Sequence, residues 1–104
     1  MTLAVARIGD TFTDTDTIAQ GSGDVFVNNI PIARLTDITT GHTLPFHPLF
    51  VPIPINSGSG SVFANNLPIA RLTDTHAMHV DPPHPPTHPH DGIINSASGD
   101  VFSG

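Results

Sequence analysis

The chain has no cysteine, tryptophan, tyrosine, lysine or glutamate among its 104 residues. Without cysteine, neither a disulfide nor a thiolate-held metal can brace the fold, and the redox compartment is left open. Cations are almost absent. Arg7, Arg34 and Arg71 stand against nine aspartates, for a net charge of −6. Such a balance cannot neutralise a phosphate backbone, which excludes nucleic acid as the expected partner. Long apolar runs are missing too. The most apolar stretch, "PFHPLFVPIPI" at 45–55, is too short and too broken by proline to cross a bilayer. No basic segment leads into an apolar one at the N-terminus, so no secretory signal is expected. Nucleophile–histidine–carboxylate patterns and paired carboxylates are likewise lacking. Asp14 and Asp16, in "TDTDT", read as a polar turn rather than a hydrolytic pair.

What is present is repetition. With 11 prolines and 9 glycines, long helices are disfavoured and short strands joined by turns are expected, in one domain covering 1–104. "VFVNNIPIARLTD" at 25–37 returns as "VFANNLPIARLTD" at 62–74. Aligned on the arginines, "LAVARIGD" at 3–10 is the second half of a third copy, and "ASGDVF" at 97–102 matches the first half of the others, "GSGDVF" and "GSGSVF". The arginine spacings are 27, 37 and, counted through the termini, 40 residues, which together make up the whole chain.

Each copy predicts a hairpin. Asn28–Asn29 and Asn65–Asn66 tolerate the positive φ of a tight turn, and Pro31 and Pro68 confine their strands to an edge or bulge. One such hairpin is marginal in water, whereas three around a pseudo-threefold axis share a core. A linear solenoid is the competing arrangement, but a split third copy is what ring closure predicts. The expected fold is therefore all-β, a small cone of three short hairpins with the third repeat divided between the termini. The pairs Arg7–Asp10, Arg34–Asp37 and Arg71–Asp74 predict a guanidinium fork that holds the turn after each strand.

All seven histidines fall in two loops that start from equivalent points. His42 and His47 follow the second Arg–Asp pair; His76, His79, His84, His88 and His90 follow the third. Loops leaving one end of a closed ring converge near its axis, and converging imidazoles suit zinc or another borderline metal. A Pro/His-rich tract such as "DPPHPPTHPH" at 81–90 is also compatible with disorder. Here, however, it is tethered at both ends, and proline lowers the entropy lost on ordering.

These residues resemble the PAAR-repeat family, whose members tip the membrane-piercing spikes of contractile phage tails and type VI secretion systems. The family tetrapeptide stands here as "PIAR" at 31–34 and 68–71, and as "AVAR" at 4–7. The frame G-S-x-x-V-F-x-N-N-x-P-x-A-R-x-x-D is shared, and the resemblance covers essentially the whole chain. It implies a structural tip, not an enzyme, which caps a trimeric β-helical spike with one chain per trimer. The chain would be a monomer alone, meeting the target membrane only mechanically. The implied place is the central spike of a phage tail baseplate, with the type VI spike as the alternative. A stand-alone metal-binding or metalloenzyme domain is a third reading. The resemblance also implies a metal near the vertex, zinc or alternatively iron. Carried over by position, the ligands are His42, His76, His79 and His90, with His79 in the role of the family's cysteine. That missing cysteine leaves the use of His47, His84 or His88 open.

Overall fold

The three copies of the motif build three hairpins. The computed structural model describes residues 2–13, 16–40, 53–76 and 92–103, and among these every regular element is a two-residue strand. In chain order they are β1 (Leu3–Ala4), β2 (Phe26–Val27), β3 (Ile30–Pro31), β4 (Phe63–Ala64), β5 (Leu67–Pro68) and β6 (Phe102–Ser103). β2 pairs with β3, β4 with β5, and β1 with β6, each antiparallel. The registers match: Phe26 faces Pro31, Phe63 faces Pro68 and Phe102 faces Ala4. The split copy is thus a hairpin like the others. Its residues at the turn, Met1 and Gly104, lie outside the described residues. At the two uninterrupted turns Asn28 and Asn29 have φ of 56° and 63°, and Asn65 and Asn66 of 54° and 65°, a pair of type I′ turns.

Closure is carried by the backbone. The Ala33 N–H donates to the Ala6 carbonyl (3.0 Å), Ala70 N–H to Ala33 (2.9 Å), and Ala6 N–H to Ala70 (3.0 Å), a ring of three bonds about the axis. Isolated bridges repeat the circuit, joining Arg7 to Ile32, Arg34 to Ile69 and Arg71 to Val5. Pro31 and Pro68 lose nothing by lacking an N–H. Their carbonyls accept from Ile8 (3.1 Å) and Leu35 (2.8 Å), so the strand edge is used on its acceptor side. Alanine on the axis is dictated by space, since Ala6, Ala33 and Ala70 are wholly buried. Close approach recurs at Gly21 and Gly58, where a Cβ would stand 2.7 and 2.8 Å from the carbonyl oxygens of Ile32 and Ile69.

The core has two parts. Val5, Val27, Ile32, Ala64 and Ile69 fill the hairpin end; Ala6, Ala33, Ala70, Phe12, Ile18, Ile55 and Ile94 fill the other. The molecule measures 38 × 24 × 24 Å, with two equal transverse extents as an axial threefold arrangement requires.

Each arginine does hold its turn. Arg34 Nε and Nη2 donate to Asp37 Oδ2 (2.9 Å) and Oδ1 (2.8 Å), while the Arg34 N–H donates to Oδ2 (2.8 Å). Arg7 with Asp10 and Arg71 with Asp74 repeat the arrangement. The bracketed turns carry positive φ at Gly9 (92°), Thr36 (75°) and Thr73 (75°). The fork also reaches the neighbouring copy. Asn65 Oδ1 accepts from Arg34 Nη1 (3.0 Å) and Ser22 Oγ (2.6 Å), and its amide donates to Asp24 Oδ1 (2.8 Å). Asn28 docks in the same way on Arg7, Ser98 and Asp100. Bonds from Asn65 and Ser22 hold the Asp24 carboxyl below its ordinary range, and Asn28 and Ser98 do the same for Asp100.

Candidate metal centre

Every Arg–Asp turn runs directly into the stem of a loop. Thr11 bridges Thr17, Ile38 bridges Pro54 and Thr75 bridges Ile93, closing the three stems. The stems then bridge one another around the axis, Phe12 to Ile94, Ile18 to Thr39 and Ile55 to His76. All three loops therefore start side by side at the end away from the hairpins, as the sequence predicts.

Phe12, Thr39 and His76 occupy equivalent positions, two residues after Asp10, Asp37 and Asp74. Their N–H groups make equivalent bonds, to the carbonyls of Asp16 (2.9 Å), Ile53 (3.0 Å) and Gly92 (3.2 Å). All three side chains are buried, at 2 %, 1 % and 0 % exposure. His76 thus sits at the foot of the loop that carries five of the seven histidines. Its ring packs 4.9 Å from that of Phe12, tilted by 53°. Its Nε2 lies 4.0 Å from Asp16 Oδ2, and Asp16 is itself wholly buried.

Of the expected ligands, His76 is the one the described residues include. His42, His79 and His90, and with them His47, His84 and His88, lie outside them. Among the described residues no three His, Asp or Glu side chains gather around one point. Asp16, expected from the sequence to lie in a polar turn, is instead wholly buried. Its neighbours in "TDTDT" spell a polar turn, and Asp16 Oδ1 does accept from the Thr17 N–H (2.9 Å) in that way. The other side of the carboxylate points inward, because position 16 is equivalent to Ile53 and Gly92, both buried. Only the alignment of loop ends, from Ile18, Ile55 and Ile94 backwards, carries that signal.

A second candidate surface lies at the hairpin end. Phe26, Phe63 and Phe102 are 53 %, 55 % and 56 % exposed and stand at equivalent positions, so three equal apolar side chains ring the molecule. No protein-family model matches the chain, and no curated protein matches it significantly.

Proposed function

We propose that this chain is the tip of a membrane-piercing spike, closing the end of a trimeric β-helical protein in a contractile phage tail, or alternatively in a type VI secretion system. The observation that carries the reading is the combination of internal threefold closure with the exposed ring of Phe26, Phe63 and Phe102. A monomer with three equal faces matches a true trimer, one copy per subunit, without breaking the trimer's symmetry. Among the described residues no further strand pairs with the outer side of β2, β4 or β6, edges that a partner strand can extend, and three half-exposed phenylalanines supply apolar area for such a joint.

The role is mechanical rather than enzymatic. A metal, zinc or alternatively iron, would tie the loops together at the apex through His42, His76, His79 and His90. His76 suits such a tie, being wholly buried at the foot of its loop, beside a carboxylate and an aromatic ring. A bound ion supplies folding free energy where the body is too narrow for a larger core.

Co-expression with a trimeric β-helical spike, followed by light scattering, tests the reading. One chain per trimer is expected, and Phe63→Asp is expected to weaken capture while leaving the chain folded. A three-to-three complex, or a stable homotrimer of the chain alone, would overturn it.

A further inference from the structure

We infer that Asp16 and His76 are adjoining ligands of one divalent cation on the axis, so that the ion is held by carboxylate oxygen as well as imidazole nitrogen. The inference rests on reading His76 as a metal ligand, and it brings in the one loop that has no histidine.

Position 16 is the one of three equivalent places that carries a charge. The equivalent residues, Ile53 and Gly92, show that this place on the threefold frame accepts an apolar side chain or none. A carboxylate buried there is costly unless something of opposite charge is held with it. Its two oxygens are differently employed. Oδ1 accepts from the Thr17 N–H at 2.9 Å, which fixes the carboxylate plane, and Oδ2 is turned towards His76. The backbone carbonyl of Asp16 accepts from Phe12 at 2.9 Å, so the main chain that carries it is anchored as well.

The 4.0 Å between Asp16 Oδ2 and His76 Nε2 exceeds hydrogen-bond range, and both side chains are wholly buried. Two donors sharing a tetrahedral ion at bond lengths of about 2.0–2.2 Å stand about 3.3–3.5 Å apart. A small rotation of either side chain closes that difference. Charge argues the same way. A divalent ion held by imidazoles alone carries its full charge into a foot lined by Phe12, Ile55 and Ile94, whereas one carboxylate halves it. The donor types set the class of ion. Imidazole with carboxylate and no thiolate suits zinc or ferrous iron and disfavours cuprous copper.

The test uses metal-stripped full-length protein titrated with zinc against a chromophoric chelator. Asp16→Asn is expected to weaken zinc binding roughly tenfold to a hundredfold. Asp16→Ile copies the residue at position 53 and is expected to weaken zinc at least as much while raising the melting temperature of the metal-free protein. A purely structural aspartate would instead give a lower metal-free melting temperature and unchanged affinity. Unchanged zinc affinity in both variants, with the parent binding one zinc, overturns the role of Asp16 and leaves the metal-tipped reading standing. A parent that binds no zinc overturns both. Should neither variant fold, the parent labelled with ¹³C at its aspartate carboxyl carbons decides. Zinc is expected to move one buried carboxyl resonance, and a set that stays in place overturns the inference.

Discussion

The two ends of the molecule share one backbone plan but keep the sequence repeat to different degrees. At the hairpin end Val5, Ile32 and Ile69 are equivalent and nearly the same residue, and so are Phe26, Phe63 and Phe102. At the loop end the equivalent buried positions hold Phe12, Thr39 and His76, and next to them Asp16, Ile53 and Gly92. Backbone hydrogen bonds are indifferent to side-chain identity, so the closed circuit tolerates three different residues provided that together they fill the axis. The repeat persists through Ile18, Ile55 and Ile94 and is abandoned only at the foot of the loops, where Phe12, Thr39 and His76, with Asp16, Ile53 and Gly92, fill one space with unlike groups.

The largest effect should come from breaking closure itself. Deleting residues 100–104 removes β6, leaves β1 without its partner strand, and takes away the carbonyl of Val101 that accepts from the Val5 N–H at 3.0 Å. Both ends are then expected to melt together in a calorimetric scan, well below the parent. A truncated chain melting at the parent's temperature would mean that the ring is not the folding unit.

The next test should separate the ends. His76→Thr installs the residue that stands at the equivalent position 39. Elemental analysis is expected to show metal lost, with a fall in melting temperature and hydrogen exchange rising at the loop stems but little changed around Ala6, Ala33 and Ala70. Uniform loss of protection would show that the two ends are not separable.

Acid should act on the hairpin end. Asp24 and Asp100 have folded pKa values below their unfolded ones, because the docked asparagines and serines favour the carboxylate. In the window between the two values the unfolded chain binds more protons, so stability rises with pH there. That contribution is fully present above the ordinary carboxylate range of about 4 and is lost as pH falls through and below it. Asp24→Asn with Asp100→Asn should flatten the fall in melting temperature below pH 4, with a loss of stability at neutral pH that matches the part of the acid fall that disappears. An unaltered acid slope would remove the docked turns from the account.

The smallest effect expected is a gain. Thr36 sits exposed at φ 75° where the split copy has Gly9 at 92°. A left-handed residue with a Cβ costs about 1–2 kcal/mol. Glycine returns about 0.5–1 kcal/mol of that as chain entropy. Thr36→Gly should therefore stabilise by about 0.5–1 kcal/mol, measured by denaturant unfolding.

That threonine also marks how far the sequence could be read. The hairpins and their closure were legible, because Asn28–Asn29 and Asn65–Asn66 announce their turns and the three arginines give the period. The turn after each arginine was half legible. "ARIGD" has a glycine where left-handed geometry wants one, but "ARLTD" hides it, since the Arg–Asp fork holds threonine in a conformation it does not prefer. The second role of Asn28 and Asn65, tying one copy to the next, was not legible, because turn chemistry alone explains an asparagine there. It is visible afterwards in the sockets. Asp100 and Asp24 receive the two asparagines, while Ser61 stands in the third equivalent place. At the loop end the common starting point of the three loops was legible from the three Arg–Asp pairs. The burial of Asp16 was not, because a polar turn and a buried carboxylate are written with the same letters and only tertiary placement separates them.

The three alanine bonds have a mechanical meaning. A ladder of strands with free ends opens like a zip, one bond after another, under a force that needs to exceed only the strength of the last rung. The bonds joining Ala6, Ala33 and Ala70 have no last rung, since each donor's residue is also the acceptor for the next. A thrust along the axis is shared among three equal members, and none can yield first without loading the other two. Such a body resists compression as an arch ring does, by having no end at which failure can begin.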